Sequence, residues 1–184
     1  MPMPIRSTLA ALALVAGAGS VAYAKTNPTV GGAAMYPTKT IVENAVNSRD
    51  HTTLIAAVKA AGLVDTLSGT GPFTVFAPTN AAFAKLPAGT VDSLTQPENK
   101  ATLTGILTYH VVAGRMTSAD IARAIRAGRG TATLTTVQGE PLKAMMTGGR
   151  LILTDAKGGT SMVTIKDVMQ SNGVIHVVDT VLMP

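Results

Sequence analysis

A chain of 184 residues with 46% hydrophobic and 14% charged side chains is too apolar to be disordered and suits a single domain with a real core, which 3% aromatics and no Trp leave to Val, Leu, Ile, Ala and Met. The net charge of +5 includes four basic residues between Arg115 and Arg129 with no aromatic side chains interleaved among them, so the stacking platforms of single-strand nucleic-acid binders are missing and nucleic acid is not expected as a partner. Zero Cys excludes a disulfide framework, a thiolate metal site and a lipidated Cys anchor.

The first 24 residues read as a secretory signal: Arg6 supplies the positive start, residues 9–18 a short apolar run, and Ala22-Tyr23-Ala24 a small-x-small cleavage site. The run is about half the ~20 residues that span a bilayer, so no transmembrane segment is expected once the signal is cleaved. Residues 25–35, rich in Gly, Ala, Thr and Pro without a period, read as a flexible linker, and the folded domain is expected over 36–184. Thr40-Ile41-Val42-Glu43 is a capping box, and Leu54, Ile55, Val58 and Ala61 form a helical stripe that ends at Gly62, where a left-handed cap belongs.

After the breaker loop 68–72, Phe73-Thr74-Val75-Phe76 reads as a strand. Pro78-Thr79-Asn80 then turns the chain, with Thr79 or Asn80 capping a short helix that contains Phe83. A helical turn follows at 90–94, and Pro97 opens a helix that ends near Tyr109-His110. Val111-Val112 is strand-like, and Thr117 to Asp120 is a second cap, from which Ile121 and Ile125 face inward while Arg123 and Arg126 share another face. From Thr131 the period shortens to about two, giving strands at 131–137, 141–146, 151–154, 161–165 and 174–179. Helices first and strands later argue for the α+β class.

The signs of catalysis are absent from the sequence. It has no nucleophile elbow outside the signal, no phosphate loop and no H-E-x-x-H. His51, His110 and His176 lie far apart with no ligand partner at helical spacing. No enzyme activity, metal or cofactor is therefore expected. Core packing accounts for Phe73, Val75, Phe83 and Ile175, a hairpin turn with positive φ for Asn172-Gly173, and hydrogen bonding within the fold for both His110 and His176.

Three segments carry a resemblance. Residues 73–83, with Phe76, Pro78, Thr79, Asn80 and Phe83, resemble the first signature of fasciclin-type domains. Residues 107–112, around Tyr109-His110, resemble the family's central Tyr-His segment, and residues 172–182, with Asn172, Gly173, Ile175, His176 and Asp179, resemble its closing signature. The resemblance covers 36–184 and looks like the small, single-domain secreted bacterial form. It implies a helical N-terminal part packed on a wedge of two β-sheets, an exported protein of the periplasm or extracellular space, and a role in cell adhesion or surface interaction. The partner would be a cell-surface protein or an anionic polysaccharide.

In adhesive relatives an Asp-Ile dipeptide and the Tyr-His segment are linked to receptor contact. The resemblance therefore nominates Asp120, Ile121, Tyr109 and His110 as contact residues, joined by the basic residues Arg115, Arg123 and Arg126 of the 115–129 strip. Each has a plain structural use as well: Asp120 as a helix-start acid, Ile121 as core, the arginines as a solvated helix face. A second functional reading is a carrier of an apolar small ligand, a lipid or carotenoid, supported by nine Met residues, with Met145, Met146, Met162 and Met169 in the strand-rich half.

Overall fold

A computed structural model of the protein describes residues 26–184. The signal-like segment 1–24 and Lys25 lie outside the described residues. Local signals fix the helices. Thr40 and Glu43 close the capping box of α1 (Ile41–Ala45), and Gly62, at φ 72°, ends α2 (Thr52–Ala61). The short helix α3 (Val64–Ser68) leads into β1 (Phe73–Pro78), after which Thr79 caps α4 (Asn80–Ala84) by accepting the Ala82 amide. α5 (Thr90–Leu94) and a 3-10 turn at Pro97 precede α6 (Lys100–Tyr109), which runs straight into β2 (Val111–Ala113). The second capping box, Thr117 with Asp120, starts α7 (Ser118–Ala127). The remaining strands are β3 (Thr131–Thr135), β4 (Pro141–Thr147), β5 (Arg150–Thr154), β6 (Thr160–Gln170) and β7 (Gly173–Val178).

The strands lie in the order β2-β1-β7-β6-β5-β4-β3, with β1 and β7 parallel and the other neighbours antiparallel. β6 creates the wedge. Its first three residues pair with β5, and the stretch from Val163 onward follows β7 instead. Two register shifts around Ile165 bend the strand between the two halves. At the far ends, a bridge from Val112 to Thr136 and the bond from the Val137 amide to the Val111 carbonyl bring β2 back to the chain leaving β3.

Side-chain alternation along β1 and β7 divides the interior in two. Val75, Ala77, Ile175 and Val177 face a core shared with α1, α2, α4 and α6. Phe76 and Val178 face a second core with Tyr109, Leu142, Leu153 and, from α7, Ile121 and Ile125. The helix-then-strand order and the core roles of Val75, Phe83 and Ile175 are as the sequence indicates, and Phe73 packs half-buried against the first core.

Two expectations are corrected. β6 runs to Gln170, five residues past the expected end, because the bulge at Lys166-Asp167, where Asp167 sits at φ 58°, hides the strand period. The stretch 26–35, read as a linker, lies against the domain: Val30 and Met35 are buried in the first core. The Asn27 amide group bonds both the N–H and the C=O of Met169, closing that part of the β6 edge.

Candidate functional site

The closing signature acts as a hub. Asn172, between β6 and β7, accepts the Ile41 amide at 3.0 Å through Oδ1 and donates through Nδ2 to the Leu67 and Gly69 carbonyls, each at 2.8 Å. Its own carbonyl accepts the Phe73 amide at 3.0 Å. The side chain therefore holds α1 and the end of α3, and the main chain of the same residue holds β1, to the β6–β7 turn. Neither Asn172 nor Gly173 has a positive φ, contrary to the turn expected from their sequence. Glycine is needed at 173 because a Cβ there would overlap the Phe73 carbonyl. Asn80 also works away from its own helix. Its Oδ1 accepts the Thr53 amide at 3.0 Å and its Nδ2 donates to the Arg49 carbonyl, so it caps α2, while Thr79 caps α4 and the buried Pro78 ends β1. Asp179 accepts the Met162 amide at 2.9 Å and stands 3.7 Å from Lys85.

The histidines are built into the scaffold. His110 Nδ1 donates to the Ile106 carbonyl at 2.8 Å, and Nε2 accepts the Leu182 amide at 3.0 Å. This pairing fixes a neutral tautomer. Burial, the largest influence, pulls the imidazole down to about 4 from its ordinary 6.5. His176 stacks on its register partner Phe76 with ring centroids 5.6 Å apart; its Nε2 donates to the Met116 carbonyl and its Nδ1 accepts the Asp167 amide. Burial likewise lowers His176. His51 Nδ1 shares a hydrogen bond with the Ser48 hydroxyl at 2.9 Å, and Nε2 is the one buried side-chain polar atom without a partner among the described residues; burial lowers this imidazole too. Among the described residues, no three His, Asp or Glu side chains converge on a common point.

The nominated contact residues separate into two groups. Tyr109 and Ile121 are 0% exposed and His110 is 2% exposed, so none offers a surface to a partner in this fold. Tyr109 instead bridges loops: its hydroxyl donates to the Pro141 carbonyl and accepts the Ala156 amide, both at 3.1 Å. Asp120 is held by its capping box and by Arg123 at 3.2 Å, and these hydrogen bonds keep its carboxyl below the usual range. Arg115 donates to the Gln170 and Ser171 carbonyls. Arg115, Arg123 and Arg126 are exposed.

Sequence reasoning missed two acids. Asp155 accepts the Lys157 and Gly159 amides through Oδ1 and the Met183 amide through Oδ2, fastening the β5–β6 loop to the C-terminal segment; an Asp shortly before Gly158-Gly159 is the available signal. Asp167 accepts the Ser118 amide and hydroxyl and so supplies a second anion at the start of α7, a long-range pairing with no local signature.

The apolar cavity beneath α1 and α2, walled by Val42, Leu54, Val58, Leu107 and Ile175, measures about 30 Å³. Small-molecule sites run to roughly 300–1,000 Å³, so this cavity in its present shape has no room for a lipid or carotenoid. Met145, Met162 and Met169 are half-buried and Met146 is exposed, and none lines that cavity.

Comparison with known proteins agrees with this architecture. The Fasciclin domain family model matches residues 49–184. The Synechocystis protein sll1483 is 49% identical over 145 residues, covering 79% of this chain and 73% of its own length. Two Mycobacterium bovis proteins align over 177 residues, or 91% of this chain: the immunogenic protein MPB70 at 38% identity with 81% of its length covered, and the cell surface glycolipoprotein MPB83 at 37% with 71% covered. Among solved structures, the FAS1 domain pair of the insect cell adhesion molecule fasciclin I superimposes with a TM-score of 0.69 at 21% identity over 79% of this chain. The chain spans about half (51%) of that structure, and the likeness speaks to the fold. A matching family model over most of the described residues, together with relatives well above 30% identity, establishes that the chain belongs to the fasciclin domain family.

Proposed function

We infer that the protein is an exported, non-enzymatic surface-interaction module of the cell envelope or its exterior, with a cell-surface protein or an anionic polysaccharide as its partner. The observation that carries this reading is where the polar chemistry of the signature residues goes. Asn172, His110 and His176 are buried and engaged by backbone groups that hold the fold together, which leaves the exterior as the working surface. Two similar proteins support it: one relative is a cell surface glycolipoprotein, and one structural neighbour belongs to a cell adhesion molecule. The signal-like start at residues 1–24 supports export. The test is attachment of a strain lacking the protein to several surfaces and to other cells. Reduced attachment, restored by the intact chain, is expected. Unchanged attachment across all of them refutes the reading.

A further inference from the structure

Positive charge is unevenly placed in this domain. Residues 36–110 hold five basic and five acidic side chains, whereas 111–184 hold eight basic and five acidic. In that second half the carboxylates of Asp120, Asp155, Asp167 and Asp179 accept hydrogen bonds from their surroundings, so much of the acidic charge is already engaged. The basic side chains are freer. Among the described residues the ion pairs are Lys85 with Asp179 and Arg123 with Asp120. Arg150 reaches only the Met162 sulfur, at 3.6 Å, and neither Arg150 nor Lys166 has a carboxylate within pairing distance.

Arg150 and Lys166 flank the opening of the wedge. Where β6 leaves β5, the start of α7 faces a depression of about 370 Å³ lined by Ser118, Ala122, Arg150, Leu151, Thr164 and Lys166. A second depression of about 460 Å³ continues from it past Thr117, Asp167 and Met169 to Asn27, with the Asp167 carboxylate taken up by the Ser118 amide and hydroxyl, and the two depressions share Ala119 and Lys166. Together they form one solvent-open trough with Lys166 midway, small side chains from α7 on one wall, and apolar Leu151 and Val163 beside hydroxyls and cations on the other. A trough that continues past its cation suits an extended chain better than a compact ligand.

We propose that this trough binds a carboxylate-bearing polysaccharide, with Arg150 and Lys166 pairing its acidic groups and the alanine and aliphatic walls meeting the C–H faces of its sugar rings. The proposal rests on the surface-interaction reading and gives that reading a site. Three features favour a glycan over other polyanions. No aromatic side chain lines the trough, so nucleobases have nothing to stack on. β6 is bulged on both sides of Ile165, and Asn27 occupies the Met169 main-chain groups, which makes a poor ladder for an added peptide strand. The trough is concave, and of its lining only Met146 is a large exposed apolar side chain, too little to enter a bilayer.

Isothermal titration of the full chain with oligogalacturonate at low ionic strength tests this, with neutral dextran, polyglutamate and phosphatidylglycerol vesicles as comparators. Saturable oligogalacturonate binding is expected, weaker by about tenfold in the Arg150→Ala, Lys166→Ala double variant, as two partly shielded charge contacts would give. Binding within about twofold of the parent is expected for Lys59→Ala with Lys100→Ala, which lie outside the trough. Thermal melts of both doubles check folding. Absence of saturable binding, equal loss in the two doubles, or equally tight binding of polyglutamate or vesicles overturns the proposal. If oligogalacturonate does not bind while loss of the protein still impairs attachment, the glycan site falls and the surface-interaction reading stands.

Discussion

Acid should destabilise this protein well above the range in which carboxylates titrate, and His110 should account for much of the effect. Its imidazole protonates at about 4 in the folded chain and at its ordinary 6.5 when unfolded. Between those values the unfolded chain binds a proton that the native chain refuses, so stability falls as pH falls. A difference of about 2.5 pH units at 1.36 kcal/mol each is about 3 kcal/mol in full, of which about 2 kcal/mol is lost by pH 5. His176 and His51 are lowered for the same reason and steepen the fall. Glu43 and Asp120 are lowered acids, so their contribution goes only as pH drops through and below the carboxylate range. The comparison therefore stops at pH 5. Urea unfolding followed by far-UV circular dichroism at pH 7.5 and 5 should show the parent losing at least about 2 kcal/mol. In His110→Gln, which keeps an acceptor for the Leu182 amide, the gap from the parent should narrow by about 2 kcal/mol over the same interval. A gap that stays constant with pH would mean His110 charges freely in the fold and would refute the reasoning.

Other substitutions test the scaffold. Asn172→Ala strands the Ile41 amide and the Leu67 and Gly69 carbonyls and should cost roughly 2–4 kcal/mol in a denaturant titration. Gly173→Ala, forced against the Phe73 carbonyl, should lower the melting temperature at least as much, whereas Gly139→Ala, with open space around it, should cost only its backbone strain of about 1–2 kcal/mol. Tyr109→Phe removes the bridge between Pro141 and Ala156 and should cost about 1–2 kcal/mol while leaving surface charge unchanged. The mass of the protein recovered from outside the cytoplasm should match a chain that begins at Lys25; the uncut mass would refute cleavage after Ala24.

What the sequence disclosed was mostly local. The capping boxes at Thr40 and Thr117 and the glycine stop at 62 join residues a few positions apart, where the chemistry of one side chain and its near neighbours decides the outcome. Pairings across long separations left little trace. Asn80 was legible as a cap, but the helix it caps starts 28 residues earlier. Asn172 carries a turn signature and instead meets four main-chain groups brought together by the fold. Asp167 reaches Ser118 across 49 residues from inside a bulge that breaks the alternation. The receptor-contact carry-over met the same obstacle: Tyr109, His110 and Ile121 carry the family pattern, but only packing reveals that it points inward. The trough was out of reach because it forms where two strands separate, and Arg150 and Lys166 sit in different strands.

The parallel pairing of β1 with β7 has a consequence for timing. Phe73 to Pro78 must wait for Gly173 to Val178, strands one hundred positions apart, before the middle of the sheet exists. A growing polypeptide short of that stretch exposes both β1 and β6 without the strand that separates them. Non-local closure of this kind is slow. If the chain is exported, as we propose, the delay is useful: it would stay loose enough to be threaded through a translocation pore and acquire its rigid form on the far side.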